Sequence, residues 1–416
     1  MMAMASRIAS TGGGGSSRSI GSAMEAPVYV IRGHPSPVHA LHFYRSNSRL
    51  LSADAEGWIV LWDLPIRRPV AVWKGHDSAV LGVTDWDDTK ILTHGRDNKI
   101  YVWQVRPEDE PGLDTRLPAT SSSEHHRPPW LLHSLDVNAL NFCAFAMCMC
   151  LYPGQYYPPE NSSDSQILLA VPSSKDPNTI DIYHLPSQTR VHATVGQHLN
   201  FKTGMPMALR LFSFNSQLTL LAGYESGHAI VFTLDPQSNI WHTAYSSKPH
   251  TQPVLSLDYH PHPGPSAPLT FYTSSADSII AKHEIQPNAV PANSEEEAPS
   301  QIINTRHAGQ QGLNLRSDGR IFATAGWDSR IRVYNAKNMK EVAVLKWHRE
   351  GCYAVAFSTI FDRRDEPRAR GEEIKELAQA NDTITTVSQQ REERTRQAHV
   401  LAAGSKDGRI SLWEIF

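Results

Sequence analysis

The stretch "THGRDNKIYVW" (residues 93–103) begins with small polar residues, passes through a polar turn, and ends in alternating apolar and polar residues. This order is typical of a strand, a tight turn and a second strand. Three other stretches repeat it closely: "SADAEGWIVLWD" (52–63), "TAGWDSRIRVY" (324–334) and "AAGSKDGRISLW" (402–413). Weaker copies are "VPSSKDPNTIDIY" (171–183), "AGYESGHAIVF" (222–232) and "TSSADSIIAKH" (273–283). The chain therefore contains seven copies of one two-stranded unit.

The spacing of these copies predicts a ring of seven similar sheets. The copies end at Trp62, Trp103, Tyr183, Phe232, His283, Tyr334 and Trp413, at intervals of 41, 80, 49, 51, 51 and 79 residues. Removing polar insertions at 106–129 and 152–166 from the 80-residue interval leaves 41, and removing 361–397 from the 79-residue interval leaves 42. A further insertion lies at 286–300. A period of about 40 to 45 residues resembles the WD40 repeat, which forms β-propellers.

We therefore predict an all-β fold, a seven-bladed propeller over residues 27–416, preceded by a disordered tail at 1–26. The tail contains "GGGGSS", which has the composition of a flexible linker. The first unit is preceded by "PVYVIRGH", a strand without an earlier partner, and the last unit ends at "ISLWEIF", a third strand without a fourth. Pairing these two strands would close the ring and cover both sheet edges.

A histidine precedes several of the units, and its spacing predicts a buried hydrogen-bond network. His34 lies 28 residues before Trp62, and His76 and His307 lie 27 residues before Trp103 and Tyr334. In the WD40 family, which these units resemble, a His, a Ser or Thr, a turn Asp and an aromatic residue bond to each other. A buried carboxylate needs donors, and an imidazole N–H supplies one. The predicted members are His34, Ser52 and Trp62; His76, Thr93, Asp97 and Trp103; His307, Thr324, Asp328 and Tyr334; His348, Asp407 and Trp413.

Two of these sets are incomplete, and the middle units depart further. Glu56 stands where the first unit should have its Asp, and Ala403 replaces the hydroxyl of the last unit. We expect units three to five to depend on packing more than on this network.

The same pattern argues against catalysis. Separate His/Asp pairs, one in each unit, are what a repeated structural feature produces, whereas an enzyme needs one convergent group of residues. The sequence has no G-x-S-x-G, H-E-x-x-H or P-loop motif. We predict no catalytic residues, no cofactor and no metal site.

Composition indicates a globular protein without a nucleic-acid footprint. The net charge of −3 lacks the basic excess of nucleic-acid-binding proteins. No run reaches the roughly 18 apolar residues of a membrane helix. Four cysteines are too few for a disulfide framework, and we expect them to be free thiols in a reducing compartment.

Partner contacts are predicted at the turns between the second and third strands. Strand alternation directs the residue before each turn Asp away from the network. Trp and Arg dominate interaction hot spots, which favours Arg96, Trp327, Arg330 and Lys406. The alternative is that Trp327 packs between neighbouring blades. The long insertions emerge on the opposite face, and within 361–397 the segment "EEIKELAQA" (372–380) favours a short helix.

Several stretches resemble one particular WD40 family. "HGRDNKIYVW", "TAGWDSRIRVY", "LAAGSKDGRISLWEIF" and "SLDVNALNFCAF" are similar to the ASTRA-associated protein 1 family, whose animal relative is a G-protein β-subunit-like WD protein. The 361–397 and 106–129 loops depart from that family in length and composition.

The resemblance implies a non-catalytic nuclear scaffold, with the cytoplasm as a second location. It implies a monomer within a hetero-complex, whose partners are ASTRA subunits and a Tel2-type cochaperone complex. The implied roles are chromatin remodelling and the maturation of PI3-kinase-like kinases. Alternatives are a Gβ-like signalling subunit, which needs a long N-terminal helix, a ubiquitin-ligase substrate receptor, which needs a docking domain, and a propeller enzyme that uses the central channel.

Overall fold

The computed structural model describes residues 26–118, 126–139, 142–149, 165–261, 267–286, 296–361 and 386–415. Its strands form seven four-stranded antiparallel sheets, arranged as a seven-bladed β-propeller. The predicted fold class is confirmed. The predicted tail and the predicted helix at 372–380 lie outside the described residues.

Each blade runs from an inner to an outer strand in chain order. Blade 1 contains β2 (Val38–Tyr44), β3 (Arg49–Asp54), β4 (Trp58–Asp63) and β5 (Arg68–Lys74). Blade 2 contains β6 (Val80–Trp86), β7 (Lys90–Gly95), β8 (Lys99–Gln104) and β9 (Trp130–Asp136). Blade 3 contains β10 (Ala146–Met149), β11 (Ile167–Pro172), β12 (Ile180–Leu185) and β13 (Thr189–Val195). Blade 4 contains β14 (Pro206–Phe214), β15 (Gln217–Tyr224), β16 (Ala229–Asp235) and β17 (Ile240–Ser247).

The remaining blades follow the same order, except that the last one borrows its outer strand. Blade 5 contains β18 (Val254–Tyr259), β19 (Leu269–Ser275), β20 (Ile279–Ile285) and β21 (Gln301–Asn304). Blade 6 contains β22 (Gln310–Leu315), β23 (Ile321–Gly326), β24 (Ile331–Asn335) and β25 (Glu341–Leu345). Blade 7 contains β26 (Cys352–Phe357), β27 (Val400–Ser405), β28 (Arg409–Glu414) and, at its outer edge, β1 (Tyr29–Arg32).

The ring closes through the pairing of the first and last strands. Tyr29 pairs with Leu412 and Arg32 with Arg409, in antiparallel register. Ile31 lies between these two residue pairs and is buried. It belongs to a core that blades 7 and 1 share, and this core includes Trp62 of blade 1. This seam covers the outer edge of β28, as predicted from the unpartnered strands of the sequence.

The stretch 93–103 forms the end of β7, a tight turn and β8. Its alternation places Ile100 and Val102 on one face of the blade and Trp103 on the other, and both faces are buried. Asn98 adopts a left-handed conformation (φ 67°) that completes the turn, a conformation that Asn tolerates better than most residues. These residues pack against both neighbouring blades: Trp103 shares a cluster with Leu51 and Ile59 of blade 1, whereas Ile100 and Val102 belong to a cluster shared with blade 3.

The two ends of the ring differ. In a four-stranded antiparallel blade, the turns between the second and third strands lie at the end where the chain enters the first strand. We call this end the turn face, and the opposite end the loop face. The insertions connect first to second or third to fourth strands, so they emerge on the loop face. The last of them ends in helix α1 (Val387–Gln397), which the sequence pattern did not predict.

Candidate protein-interaction site

Blade 2 contains the predicted network in full. His76 Nδ1 lies 3.0 Å from Asp97 Oδ1, and His76 Nε2 lies 2.8 Å from Thr93 Oγ1. The Trp103 indole N–H donates to the same hydroxyl over 2.9 Å. Burial alone would raise the pKa of Asp97, but hydrogen bonds from His76 and the backbone outweigh it, so this pKa is lowered. The network therefore fixes the turn around an ionised carboxylate.

Blade 1 builds the same network with a different acid. His34 Nδ1 lies 2.8 Å from Asp54 Oδ2, and Ser52 Oγ bonds both His34 Nε2 (2.7 Å) and the Trp62 indole (2.8 Å). The prediction that this unit lacks its Asp, with Glu56 standing at the expected position, was wrong. Asp54, which ends β3 two residues earlier, is fully buried and also accepts the N–H groups of Glu56 and Trp58. Through these bonds Asp54 fixes the whole turn, although its side chain is shorter than that of Glu56 and begins two residues earlier.

Blade 7 replaces the missing hydroxyl from a neighbouring strand. Ser411 Oγ lies 2.8 Å from His348 Nε2 and accepts the Trp413 indole N–H over 2.8 Å. Ala403 pairs directly with Ser411 across the sheet, so the hydroxyl occupies nearly the same place. His348 Nδ1 lies 3.8 Å from Asp407 Oδ1, a looser pairing than in blades 1 and 2. A Ser two residues before the terminal Trp was the signal in the sequence.

The prediction for blade 6 was wrong in its histidine. The His307 side chain is 47% exposed and reaches Asp328 only at 3.5 Å. Gln310 is fully buried instead, and its Oε1 accepts a 2.8 Å hydrogen bond from Thr324 Oγ1. Asp328 is held by the Arg332 guanidinium at 2.6 and 3.1 Å. Tyr334 is buried and stacks on Phe322, with 5.0 Å between ring centroids.

Blade 5 contains a network that the sequence reasoning missed. His250 Nε2 lies 2.8 Å from Thr273 Oγ1, and His250 Nδ1 lies 3.3 Å from Asp277 Oδ1. His283 takes the place of the Trp, 3.1 Å from Thr273 Oγ1 and 2.9 Å from the Tyr245 hydroxyl. His250 precedes His283 by 33 residues, more than the 27 or 28 of other units, because an insertion at 260–268 separates β18 from β19. A search that allowed for this insertion would have found His250.

These acids are distributed around the ring and are each bonded within their own blade. Asp97, Asp277 and Asp407 all have lowered pKa values, because histidine and backbone donors outweigh the effect of burial. The pKa of Asp328 is lowered in the same way, with Arg332 as the donor. Among the described residues, no group of three or more His, Cys, Asp or Glu could hold a metal ion. This arrangement fixes turn geometry and leaves the exposed turn residues to make contacts.

Trp327 is the best-placed contact residue on the turn face. Its side chain is 47% exposed, while its indole N–H donates to Gln311 Oε1 over 2.6 Å. One edge of the ring rests on Gly309, whose φ of +76° and missing Cβ allow this approach. Trp327 therefore has a fixed orientation and one face open to solvent. It is not packed away between blades 6 and 7.

The other predicted contact residues are more spread out. Arg96 is exposed, and its guanidinium carbon lies 4.6 Å from the centroid of Phe142. Lys406 is exposed and lies 3.6 Å from Glu350 Oε2. Arg330 is half-buried, and its backbone N–H bonds Asp328 Oδ1 over 3.3 Å. The structure therefore places all four predicted residues on one face, without bringing them into mutual contact.

Aromatic side chains border part of the central cavity on this face, and we call them the aromatic rim. The cavity, of about 240 Å³, is lined by segments from all seven blades, including His39, Phe142, Gln311 and Tyr353. Tyr353 packs edge-on against His39, with 5.4 Å between centroids, and Phe142 is 49% exposed. We call Phe142, Gln311, Trp327 and Tyr353 the rim cluster. Sequence reasoning found only Trp327, because the others precede or begin inner strands and carry no repeat signature.

Comparison with known proteins shows the family. The model of the family described as "ASTRA-associated protein 1" matches residues 27–413. The chain belongs to this family. It is similar to the ASTRA-associated protein 1 of Verticillium alfalfae, with 49% identity over 94% of this chain and 93% of that protein. It is also similar to the protein of the same name from Penicillium rubens, with 46% identity over 94% of this chain and 97% of that protein.

The family match covers the whole propeller. It begins just before β1 and ends on β28, so the closing seam lies inside the region that defines the family. A more distant member from Schizosaccharomyces japonicus is 30% identical over 94% of this chain and 99% of that protein. No helix of the described residues is long and apolar enough to cross a membrane.

Proposed function

We propose that this protein is a non-catalytic scaffold subunit of an ASTRA assembly. Two observations support the proposal: the family to which the chain belongs, and a rigid turn face that presents an exposed aromatic rim. The exposed rim is the geometric observation on which the proposal depends. Trp327 is already oriented by Gln311 and Gly309, so partner binding would not cost the entropy of ordering it.

The finer part of the proposal concerns the cellular role. The assembly would act in the nucleus, and also in the cytoplasm, in chromatin remodelling. It would further work with a Tel2-type cochaperone complex during the maturation of PI3-kinase-like kinases. In this role the propeller recruits partners through preformed surfaces, and the His/Asp networks keep the turns that carry those surfaces in place.

Affinity purification with quantitative mass spectrometry tests this proposal. The tagged wild-type protein should recover ASTRA subunits, Tel2-type cochaperone subunits and PI3-kinase-like kinases. Trp327→Ala should reduce their recovery at least tenfold, because an exposed, anchored Trp is a typical hot spot. Trp130→Ala is the matched control, since Trp130 is 72% exposed but begins β9 on the loop face.

Two outcomes would count against it. Failure of wild-type protein to recover these partners would overturn the assignment to the assembly. Equal recovery with Trp327→Ala and wild type would overturn the turn face as the binding surface. Microscopy of a fluorescent fusion tests the proposed nuclear location separately.

A further inference from the structure

A second surface lies at the ring-closure seam, on the loop face. An open groove of about 720 Å³ runs between the start of β1, the turn that joins β4 to β5, and helix α1. We call it the seam groove, and define it by the residues that carry the argument: Val28, Leu64, Ile66, Arg67, Arg391 and Arg394. These residues come from blades 1 and 7, so the groove exists only when the ring is closed.

Helix α1 forms one wall and has little support from the core. It begins with a complete capping box, in which Thr386 and Gln389 exchange side-chain and backbone hydrogen bonds. None of its eleven residues is buried. Helices of this length are marginal in water unless packing stabilises them. None of the described residues therefore buries the face that the helix presents to the groove.

That face is positively charged. Arg391 and Arg394 are three residues apart, so they project from the same side of the helix, and both are exposed. Neither guanidinium has a carboxylate of the described residues within 4.0 Å. Across the groove, the Arg67 guanidinium carbon lies 4.5 Å from the centroid of Tyr29. Among the residues that the structure describes, Glu414 of β28 is the one carboxylate that lines the groove.

The opposite wall of the groove is apolar. Val28 is 50% exposed and Ile66 is 54% exposed, although both are large aliphatic residues. Leu64 lies beneath them and belongs to the core of blades 7 and 1. Isolated exposed aliphatic residues are common, but here two of them border one concave surface beside two arginines that have no carboxylate partner among the described residues. Such a combination matches a ligand with carboxylates on one side and an aliphatic anchor on the other.

We propose that the seam groove binds an acidic peptide segment of a partner protein, with an aliphatic residue that packs on Val28 and Ile66. Carboxylates of the segment pair with Arg391 and Arg394. The apolar wall favours such a peptide over nucleic acid, because a phosphate backbone offers no aliphatic anchor to pack on Val28 and Ile66. This site is separate from the turn face and does not depend on the proposed function.

Binding of a defined probe tests the inference. The probe is a fluorescein-labelled synthetic peptide with six glutamates and two leucines three residues apart, titrated with full-length protein by fluorescence anisotropy. We expect saturable binding that weakens with salt. Arg391→Glu/Arg394→Glu and Ile66→Asp should each weaken it at least tenfold. Peptides with Gln for Glu, or Ser for Leu, should bind at least tenfold more weakly.

Matched controls separate the groove from the rest of the surface. Arg349→Glu reverses an exposed arginine, and Val342→Asp places a charge at an exposed valine of β25; both should bind the probe within twofold of wild type. Trp327→Ala should also leave binding unchanged, which distinguishes this site from the proposed turn-face site. Thermal unfolding of each variant shows that the ring remains folded.

Three results would overturn the inference. The first is the absence of saturable probe binding. The second is probe binding by Arg391→Glu/Arg394→Glu that equals that of wild type. The third is a loss of binding in the control Arg349→Glu as large as the loss in Arg391→Glu/Arg394→Glu. A fourth concerns the chain itself, since 372–380 is acidic and contains Ile374 and Leu377. If replacing these two residues with Ser strengthens probe binding at least tenfold, the groove is filled by this segment and not by a partner.

Discussion

His34 Nδ1 lies 2.8 Å from Asp54 Oδ2, and neither side chain is exposed to solvent. Asp54 also accepts two backbone N–H groups of the following turn. One carboxylate thus joins the loop that enters β2 to the turn that leaves β3. Because water cannot replace these bonds in a closed core, the cost of losing them is high.

The first prediction concerns this acid. Asp54→Asn should lower the free energy of unfolding by about 2–4 kcal/mol, because it removes the charge that His34 and two backbone donors share. Glu56→Gln should change it by less than about 0.5 kcal/mol, since its side chain takes no part in the network. Urea denaturation of both variants measures the difference. Equal destabilisation by the two substitutions would contradict the assignment of the acid to Asp54.

The second prediction concerns the shared hydroxyl of blade 2. Thr93→Val should lower the free energy of unfolding by about 2–4 kcal/mol, because His76 and the Trp103 indole both lose their bond to Thr93 Oγ1 inside the core. Thr93→Ser keeps the hydroxyl and should cost clearly less. Chemical denaturation checks both variants. A valine variant as stable as the serine variant would show that the hydroxyl is not needed.

The third prediction concerns ring closure. Ile31→Asp buries a charge in the core shared by blades 7 and 1, and should cost at least about 3 kcal/mol while promoting aggregation through the freed edge of β28. Val30→Thr is the control, because Val30 is only half-buried. Thermal unfolding and size-exclusion chromatography report the two effects. A monomeric, fully stable Ile31→Asp variant would mean that β1 is dispensable.

The fourth prediction concerns pH. Burial lowers the pKa of His94 and of His283 to about 3, whereas an unfolded histidine titrates near 6.5. Between pH 6.5 and pH 3, these two histidines bind protons in the unfolded chain but remain neutral in the folded chain. Stability should therefore fall as pH drops below 6.5, by up to about 1.4 kcal/mol per pH unit for each histidine. Above pH 6.5 these two groups contribute no slope.

Denaturant titrations between pH 7.5 and 4.5 measure this slope. His283→Gln should flatten it, although the variant is less stable at pH 7.5. The turn acids act in a different window: their pKa values are lowered, so their contribution is present above pH 4 and is lost only in stronger acid. A stability curve that is flat from pH 7.5 to 4.5 would contradict the neutral state of both histidines.

The number of blades and the closing seam could be predicted because they depend on strand periodicity. Each third strand ends near an aromatic residue or a histidine that the preceding blade helps to bury, and this requirement recurs at a measurable interval. The unpaired strands at 28–32 and 409–414 also left one way to close the ring. These features follow from the order of residues along single strands.

The exact network members were harder to predict, because spatial proximity selects them and linear spacing does not. Gln310 displaces His307, since an amide at the start of β22 reaches Thr324 as well as an imidazole would. Ser411 reaches the position that Ala403 vacates because the two face each other across the sheet. Helix α1 was missed for another reason: a helix without buried residues carries no apolar periodicity.

The seam also sets how the molecule responds to mechanical load. β1 and β28 run antiparallel, so Tyr29 and Leu412 lie at the same end of their shared ladder, close to where both strands lead out of the ring. Tension applied through the two chain ends would unzip this ladder one hydrogen bond at a time instead of shearing all of its bonds together. The propeller should therefore open at low force, at one defined place, before any other blade yields.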